Sequence, residues 1–364
     1  MLGQIWDRLT DKLDPVLISI AMTICALGMI TLYSASNESM PRVWGQLSKL
    51  GIALTIMWAL ANTPPQMLAR FAVPMYVVAL CLLVGVAAFG IVINGARRWL
   101  NVGVATIQPS ELMKIALPLI LAWYFNRHET SLRPRDFFVA AILIGVPFAL
   151  IVRQPDLGTA LLIGASGAYV LLLAGLSWKV MLGLTVLLGA SLPLIWSRLH
   201  DYQRDRIMTL IDPSTDPLGQ GYHITQSTIA IGSGGLTGKG WLRGTQTHLE
   251  FLPERHTDFI FAVYSEEFGL VGACVLLGVY LAILARGLAI SGAAGNIFMR
   301  LLAGAITLIF FTYAFVNMGM VSGILPVVGV PLPFMSYGGT AQVTLGLGMG
   351  LLMNISRNRK LVQT

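Results

Sequence analysis

Ten mostly apolar stretches, each close to the length a helix needs to cross a bilayer, dominate this chain. They run at about 15–35, 43–62, 71–93, 109–126, 136–153, 157–175, 178–197, 259–286, 298–322 and 338–356. A hydrocarbon core about 30 Å thick requires roughly 20 apolar residues in a spanning helix. Charged residues make up only 11% of the chain, far below the roughly 25% of soluble domains. The expectation is an all-α polytopic integral membrane protein with about ten transmembrane helices. The whole chain, 1–364, reads as one membrane domain.

Charge placement sets the expected orientation. The net charge of +7 could suggest a nucleic-acid partner, but the basic residues are scattered between apolar stretches rather than gathered on one face. Short cytoplasmic loops collect Lys and Arg. With the N-terminus inside, the inner loops hold Arg8, Lys12, Arg70, Arg127, Arg133, Arg135, Lys179, Arg286, Arg300, Arg357, Arg359 and Lys360. The short outer loops then hold only Arg42, Arg97, Arg98 and Arg153. Both termini are therefore expected on the cytoplasmic side of the cytoplasmic membrane, with the loop at about 198–258 on the outer side. The first apolar run is long enough to span and reads as an anchor rather than a cleaved signal. Cys25, Cys81 and Cys274 lie inside apolar runs, which argues against a disulfide framework or a thiolate metal site.

A large extracytoplasmic loop, about 198–258, is expected between helices seven and eight. It carries turn signals and a short amphipathic helix near 222–231. A second segment, Gly329–Tyr337, is rich in Pro and Gly yet apolar, which suggests a re-entrant or cavity-lining stretch. The glycine-rich run Gly232–Gly240 is no phosphate loop. Ser233 stands where the first glycine belongs and Gly240 where Ser or Thr belongs, so no nucleotide cofactor is expected and the run reads as a flexible loop. The five histidines show no zinc-type spacing.

Ionisable residues within spans are costly and mark functional candidates. Glu111 and Lys114, three apart after Pro109, share a helix face. They read either as a self-neutralised structural pair or as a site where Lys114 meets an anionic substrate group and Glu111 orients it. Asp156 follows Pro155 at a helix start, where it could cap the helix or serve the site. Arg97 and Arg98 are either interfacial anchors or part of a phosphate-binding patch, and Lys49 could simply snorkel. Glu266 and Glu267 lie two turns after Asp258, with no sequence signal for which of them faces inward. Small-residue spacing at Gly346 and Gly350 permits close helix packing, within the chain or against a partner.

The densest ionisable cluster is Glu254, Arg255, His256 and Asp258, at the entry to the eighth span. Partial burial beside Phe259 and Phe261 would raise the pKa of Asp258, whereas a neighbouring cation would lower it. A carboxylate fixed by a helix start suits a general base. Helix capping is the alternative.

Five ordered motifs carry a resemblance covering nearly the whole chain. They are Gln108–Lys114 (QPSELMK), Gln154–Thr159 (QPDLGT), Gln220–Gly235 (QGYHITQSTIAIGSGG), Leu252–Phe261 (LPERHTDFIF) and Pro331–Gly339 (PLPFMSYGG). Together they resemble the SEDS family of polytopic membrane glycosyltransferases. Arg255 before His256 and the short N-terminal tail look more like the elongation branch, typified by RodA, than the division branch, typified by FtsW.

The resemblance implies the SEDS fold and polymerisation of lipid II, an undecaprenyl-pyrophosphate-linked disaccharide-pentapeptide, at the outer membrane face. It places the family's essential aspartate on Asp258, and other site positions on Glu111, Lys114 and Asp156. A general base and an inverting displacement at the donor sugar follow as the expected chemistry. Lys114 and Arg153, then Arg97, Arg98 and Lys49, are the expected cations for the leaving phosphates. A divalent cation, Mg or Mn, could share that task, although the sequence names no metal site. The implied partners are a class B penicillin-binding protein (a transpeptidase), other elongation-complex proteins and membrane lipid, and no nucleic acid. A lipid II flippase, a non-enzymatic scaffold and a division-specific polymerase are the competing readings.

Overall fold

Our computed structural model describes residues 13–358 apart from 94, 95, 102, 104, 105, 129–132, 200, 250 and 253. Arg8, Lys12, Arg359 and Lys360, used in the charge count, lie outside the described residues. In chain order the first elements are α1 (Pro15–Ala35), α2 (Met40–Ala61) and α3 (Pro65–Phe89), then the short strands β1 (Ile91–Ile93), β2 (Ala96–Asn101) and β3 (Thr106–Ile107). Next come α4 (Pro109–Arg127), α5 (Pro134–Val152), α6 (Leu157–Leu173), α7 (Trp178–Arg198), α8 (Asp201–Ile211) and α9 (Gln220–Ser233). The chain closes with α10 (Thr245–His248), α11 (Ile260–Gly292), α12 (Ile297–Val321) and α13 (Thr340–Arg357).

Every predicted apolar stretch is helical along most of its length. Among the described residues, α1, α2, α3, α5, α11 and α12 are long and apolar enough to cross a membrane. Helix α6 and residues 178–194 of α7 are shorter apolar helices. Helices α4 and α13 carry polar residues and are buried along most of their length. Proline marks many of the helix starts: Pro15, Pro41, Pro65, Pro109 and Pro134 each occupy the first or second helical position. Its fixed φ suits that site and its missing N–H costs nothing there.

Helices α4, α12 and α13 form the interior, surrounded by α1, α2, α3, α6 and α11. The small-residue spacing in α13 serves packing within the chain. A Cβ on Gly346 would stand 2.5 Å from the Ala53 carbonyl, and one on Gly350 2.6 Å from that of Met57. Backbones of α13 and α2 therefore meet directly. At one end of the bundle Asp14 caps α1 through the amides of Val16 and Leu17. The same carboxylate takes Arg286 Nη2 of α11 at 2.6 Å and the Ser356 hydroxyl of α13. One buried carboxylate thus ties three helices.

Three elements depart from the sequence reading. The predicted third span ends at Phe89, and Ile91–Ile93 is instead the first strand of a three-stranded antiparallel sheet in the order β1-β2-β3. Arg97 and Arg98 ride on β2. Helix α8 forms in the long loop, which also contains the expected helix near 222–231 as α9.

The glycine-rich run, expected to be flexible, is pinned. Helix α11 breaks at Gly269, which adopts φ 65°. There the amides of Leu270 and Val271 donate to the carbonyls of Gly235 and Leu236, at 2.9 and 3.0 Å. The glycine-rich run thus satisfies donors that the break would otherwise orphan.

Candidate active site

Seven segments enclose a cavity of about 610 Å³: the β2 edge, the starts of α4 and α6, helices α8 and α9, the turn before α11, and residues 327–341. Asp258 lies in its wall, one residue before the Phe259 cap of α11. Burial pushes its carboxyl up to about 6, and the charge of Glu254 adds to the rise. Among the described residues no cation forms an ion pair with it. An ordinary surface aspartate titrates near 4, so this one holds a proton more strongly yet is mostly ionised at neutral pH.

The position of Asp258 is set from two sides. Asn317 of α12, fully buried, donates from Nδ2 to the Asp258 carbonyl at 2.8 Å and to the Val330 carbonyl at 2.6 Å. The Asp258 carboxylate faces Gly329 (φ +76°), and a Cβ there would lie 3.4 Å from Oδ2. The Gly329–Tyr337 stretch, predicted to be re-entrant or cavity-lining, does line the cavity. Its path is held by Tyr280 Oη on the Pro333 carbonyl and by Gln46 and Gln342 on the Ser336 carbonyl.

The rest of the ionisable cluster divides by contact. Glu254 reaches the cavity, with Thr257 Oγ1 donating to its Oε2 at 2.7 Å. Arg255 is buried and points away, donating to the Thr247 carbonyl of α10 at 2.7 Å. His256 sets its ring edge-on to Tyr337, and burial lowers its pKa.

Of the other predicted residues, Glu111, Lys114, Asp156 and Arg98 reach the cavity. Lys114 Nζ donates to Glu111 Oε1 at 2.6 Å, both side chains being buried, and lies 4.9 Å over the Tyr313 ring. Asp156 caps α6 by accepting from the Thr159 amide at 3.1 Å, and its Oδ2 stands 3.5 Å from Arg98 Nε. Asp156 therefore caps α6 and lines the cavity at once.

Three predicted cations are placed elsewhere. Arg153 is exposed at the end of α5, because the turn through Pro155 carries Asp156 inward and leaves Arg153 outward. Arg97 alternates with Arg98 along β2 and turns to the Ala87 carbonyl. Lys49 stands 3.5 Å over the Tyr337 ring, behind the cavity wall.

Two cavity residues escaped the sequence reading. Arg206 comes from α8 and His223 from α9, where its ring stacks on Phe259 at 5.5 Å. Burial lowers the pKa of His223, favouring the neutral ring. The His223 motif was visible in the sequence, but nothing there told which of its residues would turn toward Asp258.

Glu266 and Glu267 are both buried, and neither lines the cavity. Glu266 Oε1 accepts from Lys239 Nζ at 2.7 Å and the Gln246 amide at 3.0 Å, while Oε2 takes the Thr247 hydroxyl. Glu267 accepts from Ser34 of α1 and from the Leu242 amide. They act as anchors for the 239–247 segment.

Comparison with known proteins finds relatives along nearly the whole chain. Residues 15–361 match the cell cycle protein family that comprises FtsW, RodA and SpoVE. The chain belongs to this SEDS family. It is 48% identical to the peptidoglycan glycosyltransferase MrdB of Escherichia coli K12, over 98% of this chain and 96% of that one. Identity to a probable peptidoglycan glycosyltransferase FtsW of Geobacter metallireducens is 33%, over 96% of each chain. Among solved structures, one from a peptidoglycan synthase complex superimposes with a TM-score of 0.83 at 34% identity, covering 96% of this chain and 99% of that one. The rod shape determining protein RodA of Thermus thermophilus gives 0.73 at 30% identity, covering 96% and 98%.

Proposed function

We propose that this SEDS-family chain is a peptidoglycan glycosyltransferase that joins lipid II units into β-1,4 glycan strands for cell elongation. The observation that carries the reading is Asp258: a carboxylate of raised proton affinity in the wall of a polar cavity that Arg98, Lys114 and Arg206 also line. The higher identity to MrdB than to the division-type relative supports the elongation branch.

In this reading the 4-hydroxyl of the acceptor GlcNAc gives its proton to Asp258 as its oxygen attacks the anomeric carbon of the donor MurNAc. The new C–O bond forms as the bond to undecaprenyl pyrophosphate breaks, and one displacement turns the α-linked donor into a β-1,4 product. The leaving pyrophosphate needs no carboxylic acid to protonate it, in contrast with glycoside hydrolysis. It needs fixed positive charge, worth most in a site that excludes water. Arg98, Lys114 and Arg206 are the cavity cations available for this.

A divalent cation would enter mainly with the pyrophosphate. Among the described residues no group of three His, Cys, Asp or Glu side chains is placed to cage a metal. Magnesium commonly takes one or two carboxylates and completes its shell from phosphate and water. The protein would sit in the cytoplasmic membrane with the cavity facing outward, beside a class B penicillin-binding protein that cross-links the product.

The test is polymerisation of purified lipid II by the chain with its partner. Wild type should yield long glycan and folded Asp258→Asn none. Lipid movement across vesicles without any polymer would favour a flippase instead.

A further inference from the structure

We infer that Asn317 is a positioning residue for the reaction, acting through the backbone of Asp258; this rests on the reading of Asp258 as the base. Asn317 lies inside α12 with no exposed surface. Its single Nδ2 group spends both hydrogens on carbonyls of two different segments, Asp258 at the turn into α11 and Val330 next to Gly329. Those segments carry the carboxylate and the wall it faces. One amide therefore fixes the distance between a reacting group and the surface that limits its rotation.

The energetics favour a precise role. A neutral amide making both bonds adds modest net stability, while removing it takes the donor from two carbonyls at once, which costs more than the bonds themselves contribute. The turn holding Asp258 is irregular, with Glu254 at φ 50°; the amides of Thr257 and Phe259 close it on the Glu254 carbonyl, and Asn317 ties the Asp258 carbonyl to the Val330 segment. A displacement of about 1 Å at a catalytic group can cost on the order of 100-fold in rate. Asn317 does not itself line the cavity, so its loss should leave substrate binding nearly intact.

The molecule supplies a matched control. Asn354 of α13, also fully buried, donates its Nδ2 to the carbonyls of Leu60 at the end of α2 and Thr63 in the turn that follows. This is the same chemistry applied to a segment that lines no part of the cavity.

Asn317→Leu and Asn354→Leu should both be compared with wild type for melting temperature, kcat and apparent KM in lipid II polymerisation. The expected result is a similar loss of melting temperature in both, with kcat reduced at least 10-fold only in Asn317→Leu and KM changed less than 3-fold. Equal kcat losses in the two variants, or an unchanged kcat in folded Asn317→Leu, would overturn the inference. If Asn317→Leu fails to fold, Asn317→Asp is measured in its place, since it keeps the shape and loses the donor. Wild type and Asp258→Asn run alongside: equal activity of those two would sink the reading of the base, separately from the role of Asn317.

Discussion

Gly329 faces the Asp258 carboxylate with nothing but a hydrogen where any other residue would carry a Cβ, 3.4 Å from Oδ2. Its φ of +76° is in the left-handed region, which costs a non-glycine residue about 1–2 kcal/mol. Both facts act in the same direction. Gly329→Ala should strain the cavity wall through its left-handed φ and set a methyl in contact with the carboxylate, lowering kcat about 10-fold with a melting temperature only a few degrees down. An alanine variant with wild-type kcat would show that Asp258 does not work in the rotamer seen here.

Raised proton affinity at Asp258 predicts the pH dependence of the reaction. The base is required ionised, so log(kcat/KM) should climb with pH and level off above about 6. The charge of Glu254 contributes to the rise. Glu254→Gln should therefore move the acidic limb to lower pH while leaving the plateau within a few-fold of wild type. A limb that stays put, or moves upward, would remove Glu254 from the electrostatics of the site.

The same burial makes Asp258 a cost to the fold. Its carboxyl is harder to ionise folded than unfolded, so the penalty is absent below pH 4 and fully present above about 6. Asp258→Asn removes a charge with no paired cation among the described residues. At pH 7.5 it should raise stability by up to about 3 kcal/mol, which is roughly two pKa units at 1.36 kcal/mol each. Thermal melting in detergent at pH 4 and pH 7.5 checks this, and the gain should shrink at pH 4. Such an exchange of stability for activity is common at active sites.

How much of this could be read from residues alone depends on where the information resides. The helix start at Pro109 was legible because a proline acts locally, within one turn, whereas the start at Pro65 was placed late, at 71, because the apolar run alone sets no first turn. Asp156 and Asp258 were legible because each stands immediately before a helix. Arg206 and His223 were not, since the path of the 198–258 segment over the cavity is decided by tertiary anchors such as Glu266 on Lys239 and the Thr247 hydroxyl. Ile91–Ile93 was read as the end of a span because three apolar residues carry no period of their own. The split of Arg98 inward from Arg97 outward is a strand alternation, invisible until the strand itself is seen.

Asp14 predicts an acid-sensitive fold at the end of the bundle where it ties α1, α11 and α13. Burial alone would raise its pKa, but the hydrogen bonds from Arg286 and Ser356 outweigh it and hold the carboxyl below the usual value. The stabilisation is therefore full above about pH 4 and disappears as pH falls through the lower folded value. Asp14→Asn should cost up to about 3 kcal/mol at neutral pH, the low end for breaking a buried pair, because Arg286 remains 26% exposed. The deficit should narrow toward pH 3. A melting curve with a constant gap across that range would mean that packing, not charge, holds the three helices.

The Glu111–Lys114 pair calls for a test that separates fold from chemistry. Lys114→Met alone leaves Glu111 buried without its cation, a loss of about 3–5 kcal/mol that would mask any catalytic effect. Replacing both, Glu111→Gln with Lys114→Met, removes the charge together with its need for a partner. Such paired replacements are often close to neutral for stability. The double variant should therefore melt near wild type. If Lys114 serves the leaving pyrophosphate from its place in the cavity wall, the double variant will still polymerise lipid II at least 100-fold more slowly, since fixed charge at a developing anion contributes about 3 kcal/mol or more. Recovery of both melting temperature and rate would assign the pair to packing alone, and would leave Arg98 and Arg206 as the cations that face the phosphates.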